Sequence, residues 1–160
     1  MTILAVDFGT KRLGVAVTNT GETLALPIDS FHVKTEKDAV DLIQRLAADR
    51  AVREIVMGNP IGHHGGSTRM GGRVQAFAEL LRAVVKVPVI LVDERFTSKL
   101  AEAPMIEAGM SAQKRRGLVD AGAAALILQS VLDARRMQSE RGAASNAADA
   151  SRDGAAPSVD

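Results

Sequence analysis

"ILAVDFGTKRLGVAVTN", residues 3–19, decides the fold. Two apolar runs, Ile3–Val6 and Leu13–Val17, flank a turn marked by Gly9, and this spacing predicts strands over 2–7 and 12–19. The same stretch poses a chemical question. Asp7 closes the first run, while Lys11 and Arg12 open the second. A turn uses aspartate to bond its own backbone; a metal site uses it as an oxygen ligand.

Outward from the hairpin, the turn signal Asn19-Thr20-Gly21 precedes a third extended segment, about 23–33. Thr35 and Asp38 resemble a capping box, and Ala39, Leu42, Ile43 and Leu46 follow at helical spacing. Arg53–Met57 reads as a strand ending at Gly58-Asn59-Pro60, followed by the loop "IGHHGGST". Thr68 to Val85 is helical, with Met70, Val74, Phe77, Leu80, Leu81 and Val84 as its apolar face. "VPVILV", 87–92, is a buried-type strand. Thr97 or Ser98 can cap a further helix, which Pro104 interrupts or restarts. A last helix begins near Ser111 and runs through "LVDAGAAALILQSVLDARR". Strand–helix alternation after a hairpin-led start predicts an α/β layer fold with helices on both faces. The two strands joined by a helix, 53–57 and 87–92, should be parallel with a right-handed crossover.

The 160 residues are one domain's worth, and 46% hydrophobic with 24% charged residues is ordinary for a chain with a real core. Cysteine is absent, which excludes disulfides and thiolate metal ligation. The aromatic residues are four phenylalanines, too few for a single-strand binder built on stacking platforms. No apolar stretch approaches the roughly 18 residues of a membrane span. With no signal-peptide pattern at its start, the chain reads as cytoplasmic with no membrane partner. Residues 1–141 hold 19 Lys+Arg against 16 Asp+Glu; residues 142–160 hold one Arg against three Asp. The body, a domain over 1–138, is weakly basic, and "GAASNAADASRDGAAPSVD", 142–160, reads as a disordered acidic Ala/Ser-rich tail.

Three acids fall where an α/β sheet gathers ligands. Asp7 ends strand 1, Glu94 beside Asp93 ends strand 5, and Asp120 lies in the apolar last helix. Such an oxygen set suits a hard divalent cation, Mg²⁺ or Mn²⁺, and one or two such ions can drive phosphodiester cleavage. Each acid also has an ordinary reading. Asp7 can shape a turn, Glu94 can belong to a solvated charge cluster, and Asp120 can pair with Lys114 or Arg116. His63-His64, adjacent and without a third ligand, read as solvent-exposed loop residues.

"DFGTKRLGVAVT", "IVMGNPIGHHGG", "VDERFTS" and "DAGAAALILQSVL", in this order and spacing, resemble the YqgF/RuvX family over about residues 1–135. The resemblance implies a ribonuclease-H-like single domain with a five-stranded mixed sheet, its first three strands antiparallel. It also implies a divalent-metal nuclease with Asp7, Glu94 and Asp120 as catalytic metal ligands. Lys11 and Arg12 match the family's basic pair, assigned to backbone phosphate. Asn59, between Gly58 and Pro60, matches a loop near the site. Arg95 and Thr97 match the acidic-Arg block, and the basic run Lys114-Arg115-Arg116 joins these as a nucleic-acid contact. The implied activity is 5′-end maturation of precursor 16S rRNA; the alternative is resolution of four-way DNA junctions, which demands a homodimer. The chain departs from the family at Asn19, where many relatives carry Asp, at His63-His64 and at Pro104.

Two other classes compete. "DFGTKRLG" resembles the first phosphate loop of the actin-like kinases, but those proteins close two such domains over ATP, and no G-x-x-x-x-G-K-[ST] loop is present. A non-catalytic RNA-binding module would have no need to keep all three acids.

Overall fold

The alternating apolar residues of the first strands have two faces to cover, and the chain covers both. The structure, a computed structural model, describes residues 1–60, 68–93 and 112–153, with the backbone alone for 112–120 and 151–153. Its elements are β1 (Thr2–Phe8), β2 (Arg12–Thr18), β3 (Ala25–His32), α1 (Glu36–Asp49), β4 (Val52–Asn59), α2 (Arg69–Val84), β5 (Val89–Asp93) and α3 (Ala112–Asp153). Glu94, Arg95, Thr97, His63-His64 and Pro104, on which the sequence places expectations, lie outside the described residues.

The sheet runs β3-β2-β1-β4-β5. β1 and β2, and β2 and β3, are antiparallel; β1 and β4, and β4 and β5, are parallel. This is the five-stranded mixed sheet expected. Leu4, Val6 and Phe8 of β1 face α1 and α2, joining Ile43, Val74, Phe77 and Leu81. Ile3 and Ala5 face α3, joining Ala16, Val56, Ala124, Ile127 and Leu128. The central strand thus feeds both cores, and each fully buried Leu, Ile, Val or Phe adds about 1.5–3 kcal/mol over exposure.

Caps fix the helix starts. The Thr35 hydroxyl accepts from the Asp38 amide at 3.1 Å while the Asp38 carboxylate accepts from the Thr35 amide at 3.2 Å, the reciprocal box that the sequence suggests. Thr68 caps α2, accepting from the Gly71 amide at 2.9 Å. β5 starts at Val89 rather than at 87, because Pro88 has no amide hydrogen to give the ladder.

The alanine-rich segment of α3 lets the helix lie close on the sheet but offers few side chains to key it there. Two polar ties lie further along. The Gln129 amide accepts from Ala25 N at 2.9 Å and donates to Thr23 O at 3.3 Å. Arg135 forks onto Glu54, a 5% exposed carboxylate on the α3 face of β4, with one bond of 3.0 Å. Arg53 reaches the same carboxylate and forks onto Glu22 with two bonds of 2.6 Å. α3 then continues through Asp153, past position 142, where the sequence reading starts a disordered tail. Alanine explains the difference: it is the best helix former, so a segment with little to bury can still prolong a helix already begun.

Candidate active site

β1, β4 and β5 are parallel, so their carboxyl ends share one edge of the sheet, where Asp7, Asn59 and Asp93 lie. Asp7 is half-buried and shares the α3 face with Ile3 and Ala5. Its partner across the β1–β2 ladder is Gly14. On the other side Val6 pairs with Met57, and the next residue of β4 is Gly58. Both strands beside Asp7 therefore present a glycine. A buried glycine within a strand often marks a close approach by a ligand or another backbone. The pair forms a glycine slot in this sense: the two strand positions directly beside Asp7 carry no side chain.

The turn that follows Asp7 is tight. Gly9 N donates to Arg12 O at 2.9 Å, and a Cβ on Gly9 would stand 2.8 Å from that oxygen. Backbone contact thus requires glycine here, and it brings Lys11 and Arg12 back beside the end of β1. Lys11 is exposed and Arg12 half-buried, and the Lys11 carbonyl accepts from Val33 N at 3.0 Å.

α3 brings the third acid's backbone to the same region. Its ties through Gln129 and Arg135 lie at the amino ends of β1 and β4, so the preceding turns, with Ala121 and Ala124, run back toward their carboxyl ends. Asp120, Lys114, Arg115 and Arg116 lie on these turns, with the helical backbone alone described. Among the described residues no three acidic or histidine side chains form a metal cage. Asp7 offers carboxylate oxygens suited to a hard cation. Asn19 has a different task. Its Oδ1 accepts from Thr23 N at 2.9 Å and Leu24 N at 3.1 Å, building the β2–β3 turn at the opposite end of the sheet. An aspartate could accept the same two bonds, so the substitution leaves the slot untouched.

Asn59 adds an acceptor near the edge. Its Oδ1 is buried, has no hydrogen-bond partner among the described residues, and would lie 3.3 Å from a Cβ placed on Gly71. Gly14, Glu54 and Arg73 do not stand out as functional residues in the sequence. Only the inward phase of Glu54, an acid among apolar strand neighbours, offers a signal in the sequence.

The family model described as "RuvX: Holliday junction resolvase" matches residues 1–134. A candidate pre-16S rRNA nuclease of Dictyoglomus thermophilum is 38% identical over 133 residues, covering 83% of this chain and 96% of that protein. Another, from Chloroflexus aggregans, is 37% identical over 135 residues, covering 84% and 95%. In fold, the chain is similar to Thermus thermophilus RuvC in complex with a Holliday junction substrate, with a TM-score of 0.54, 17% identity and coverage of 85% and 96%. It is likewise similar to the fowlpox virus resolvase bound to Holliday junction DNA, with a TM-score of 0.55, 14% identity and coverage of 84% and 98%.

Proposed function

The chain belongs to the RuvX family of phosphodiester-cleaving hydrolases, and from that membership we propose that it trims the 5′ end of precursor 16S rRNA with Mg²⁺ or Mn²⁺. The observation that carries the site is the Asp7 carboxylate set between Gly14 and Gly58 at the carboxyl ends of three parallel strands. Asp7, Glu94 and Asp120 are the proposed metal ligands. A divalent cation, when bound, neutralises charge on the scissile phosphate and makes water a stronger nucleophile. The chain's own groups do the rest. The glycine slot admits the sugar–phosphate backbone up to Asp7. Lys11 and Arg12, held by the Gly9 turn, take the neighbouring phosphates. Asn59, Arg95, Thr97 and the run Lys114-Arg115-Arg116 extend the contact surface. The proposed setting is the cytoplasm; no described helix is long and apolar enough to cross a membrane.

The second reading keeps the chemistry and changes the substrate to a four-way DNA junction. It is supported by fold similarity to two resolvases bound to Holliday junctions, and it requires a homodimer to make two symmetric cuts. One experiment separates the two. Labelled precursor 16S rRNA 5′ fragment and a four-way junction are incubated in parallel with Mg²⁺, Mn²⁺ or EDTA, using wild type and Asp7→Asn. Cleavage of the RNA, lost in EDTA and in the variant while its circular dichroism is unchanged, is the expected result. Paired symmetric cuts in the junction alone would replace it with the resolvase reading. An Asp7→Asn protein with full turnover would remove Asp7 from the site.

A further inference from the structure

Phe8, next to Asp7, turns to the opposite face of the sheet and stacks on Phe77 of α2, centroids 4.3 Å apart and planes 10° from parallel. The Arg73 guanidinium, one turn earlier on α2, lies over the same Phe8 ring, 5.6 Å from its centroid. The π face orients this cation without using its N–H fork. Arg53, Arg82, Arg135 and Arg136 each pair with a carboxylate; Arg73, like Arg12, Arg45, Arg50 and Arg69, has no carboxylate partner among the described residues, and of these it alone is held by a ring. Arg73 also stands at the right end of the molecule. The Thr68 hydroxyl donates to Pro60 O at 3.0 Å, tying the start of α2 to the edge where Asp7 and Asn59 lie.

The opening turns of α2 break three local rules at once. Arg69 and Arg73 are like charges at i,i+4, which disfavours a helix. The first turn has no acidic residue to meet the positive end of the helix dipole. Gly72 is exposed, and a Cβ there would meet nothing within 4 Å, so packing makes no demand for glycine. Gly71 differs, for its Cβ would lie 3.0 Å from Pro60 O and 3.1 Å from the Thr68 hydroxyl. Local costs that the fold does not require tend to gather where a chain serves a ligand.

We propose that Arg73, with Arg69 and the bare Gly72 beside it, is a second nucleic-acid contact that grips a backbone phosphate of the strand entering the Asp7 slot. The proposal rests on the nuclease reading and deepens it. Arginine's planar fork suits a phosphate, and the missing side chain at Gly72 lets the backbone approach the helix surface.

The test measures binding rather than cleavage. A fluorescein-labelled stem-loop RNA with a single-stranded flank, and DNA of the same sequence, are titrated in EDTA over a range of salt. Arg73→Ala should weaken binding about fivefold to tenfold and lower the slope of log K against log salt by about 0.7–0.9, one phosphate contact. Arg73→Lys should fall between it and wild type. Gly72→Ala should raise the thermal midpoint, since alanine favours helix, yet weaken binding. Arg45→Ala on α1 controls for simple loss of charge and should leave affinity unchanged. Full affinity and slope in Arg73→Ala, or a stabilised Gly72→Ala with full affinity, would overturn the proposal and leave the nuclease reading standing. A loss confined to RNA or to DNA would overturn the phosphate assignment. Wild-type protein that bound neither probe would overturn the proposal and the nuclease reading together.

Discussion

Asp7 and Gly14 face each other across the β1–β2 ladder, a carboxylate opposite a residue with no side chain. In a strand, that place is normally filled by a cross-strand neighbour whose packing helps hold the sheet. The molecule gives up that packing at the one acid that ends its central strand.

Filling the slot should therefore cost activity more than stability. In Gly14→Val the substitution suits strand backbone, while its side chain stands against the Asp7 carboxylate. We expect at least a roughly tenfold fall in kcat/KM, about 1.4 kcal/mol of transition-state stabilisation, with the far-UV spectrum unchanged. Wild-type turnover would mean that substrate and metal approach Asp7 from elsewhere.

Glu54 and Arg135 supply the converse case, in which chemistry holds the fold. Removing one partner of a buried pair costs about 3–5 kcal/mol, and because Arg135 is 40% exposed the lower part of that range or less applies to Arg135→Ala. Urea denaturation should show this loss. The double variant Glu54→Leu/Arg135→Leu should recover most of it, because the buried carboxylate, left to Arg53 alone at 3.4 Å in the single variant, is then gone. A double variant as weak as the single would show that the packing of the arginine stem, and not the charge, is what counts.

Acid should loosen the same cluster from its outer side. The Arg53 fork, through its hydrogen bonds and charge, holds the Glu22 carboxyl below the ordinary glutamate range. A lowered folded pKa means stability that is present above the unfolded pKa and lost as pH falls through the folded one. Glu22→Gln should lower stability at neutral pH and flatten the stability–pH curve below about pH 4.5, so that the two proteins converge in acid. The pair is partly exposed, so added salt should shrink the difference. Curves that stay parallel throughout the acid limb would show that Glu22 ionisation does not couple to folding.

Truncation after Gln138 tests the domain boundary. Residues from Met137 to Ala150 are exposed, and the last α3 residue packed in the core is Leu132. The 1–138 chain should keep its urea midpoint and its cleavage activity while losing the circular dichroism signal of residues 139–153. A lowered midpoint would mean that the distal helix has a contact on the body.

Much of this architecture is legible in the residue order. The Val/Ile/Ala runs announce β1 and β2, Thr35 with Asp38 announces α1, and Thr68 announces α2, because strand alternation and caps are local rules. What escapes depends on partners distant in sequence. That Gly14 stands opposite Asp7 requires the register, and that Glu54 is paired requires α3 to return over the sheet 81 residues later. The hold of Phe8 on Arg73 appears only once α2 is packed. For the tail, composition speaks both ways: with nothing to bury it reads as disordered, while its alanines favour prolonging a helix that has already formed.

That extension makes the molecule's length depend on temperature. Residues 136–150, beyond the Arg135 tie, are all exposed, so their helix rests on alanine's intrinsic preference and on a nucleus already formed by the docked turns. Such a segment shortens residue by residue, about 1.5 Å at a time, instead of melting in one step. On warming, the far end of α3 should retract well before the sheet gives way. Ellipticity at 222 nm would then decline gradually below the main transition while the core stayed native. The fold thus holds two thermal responses in one continuous helix, cooperative where Ile127 and Leu128 meet the sheet and graded where alanines meet water.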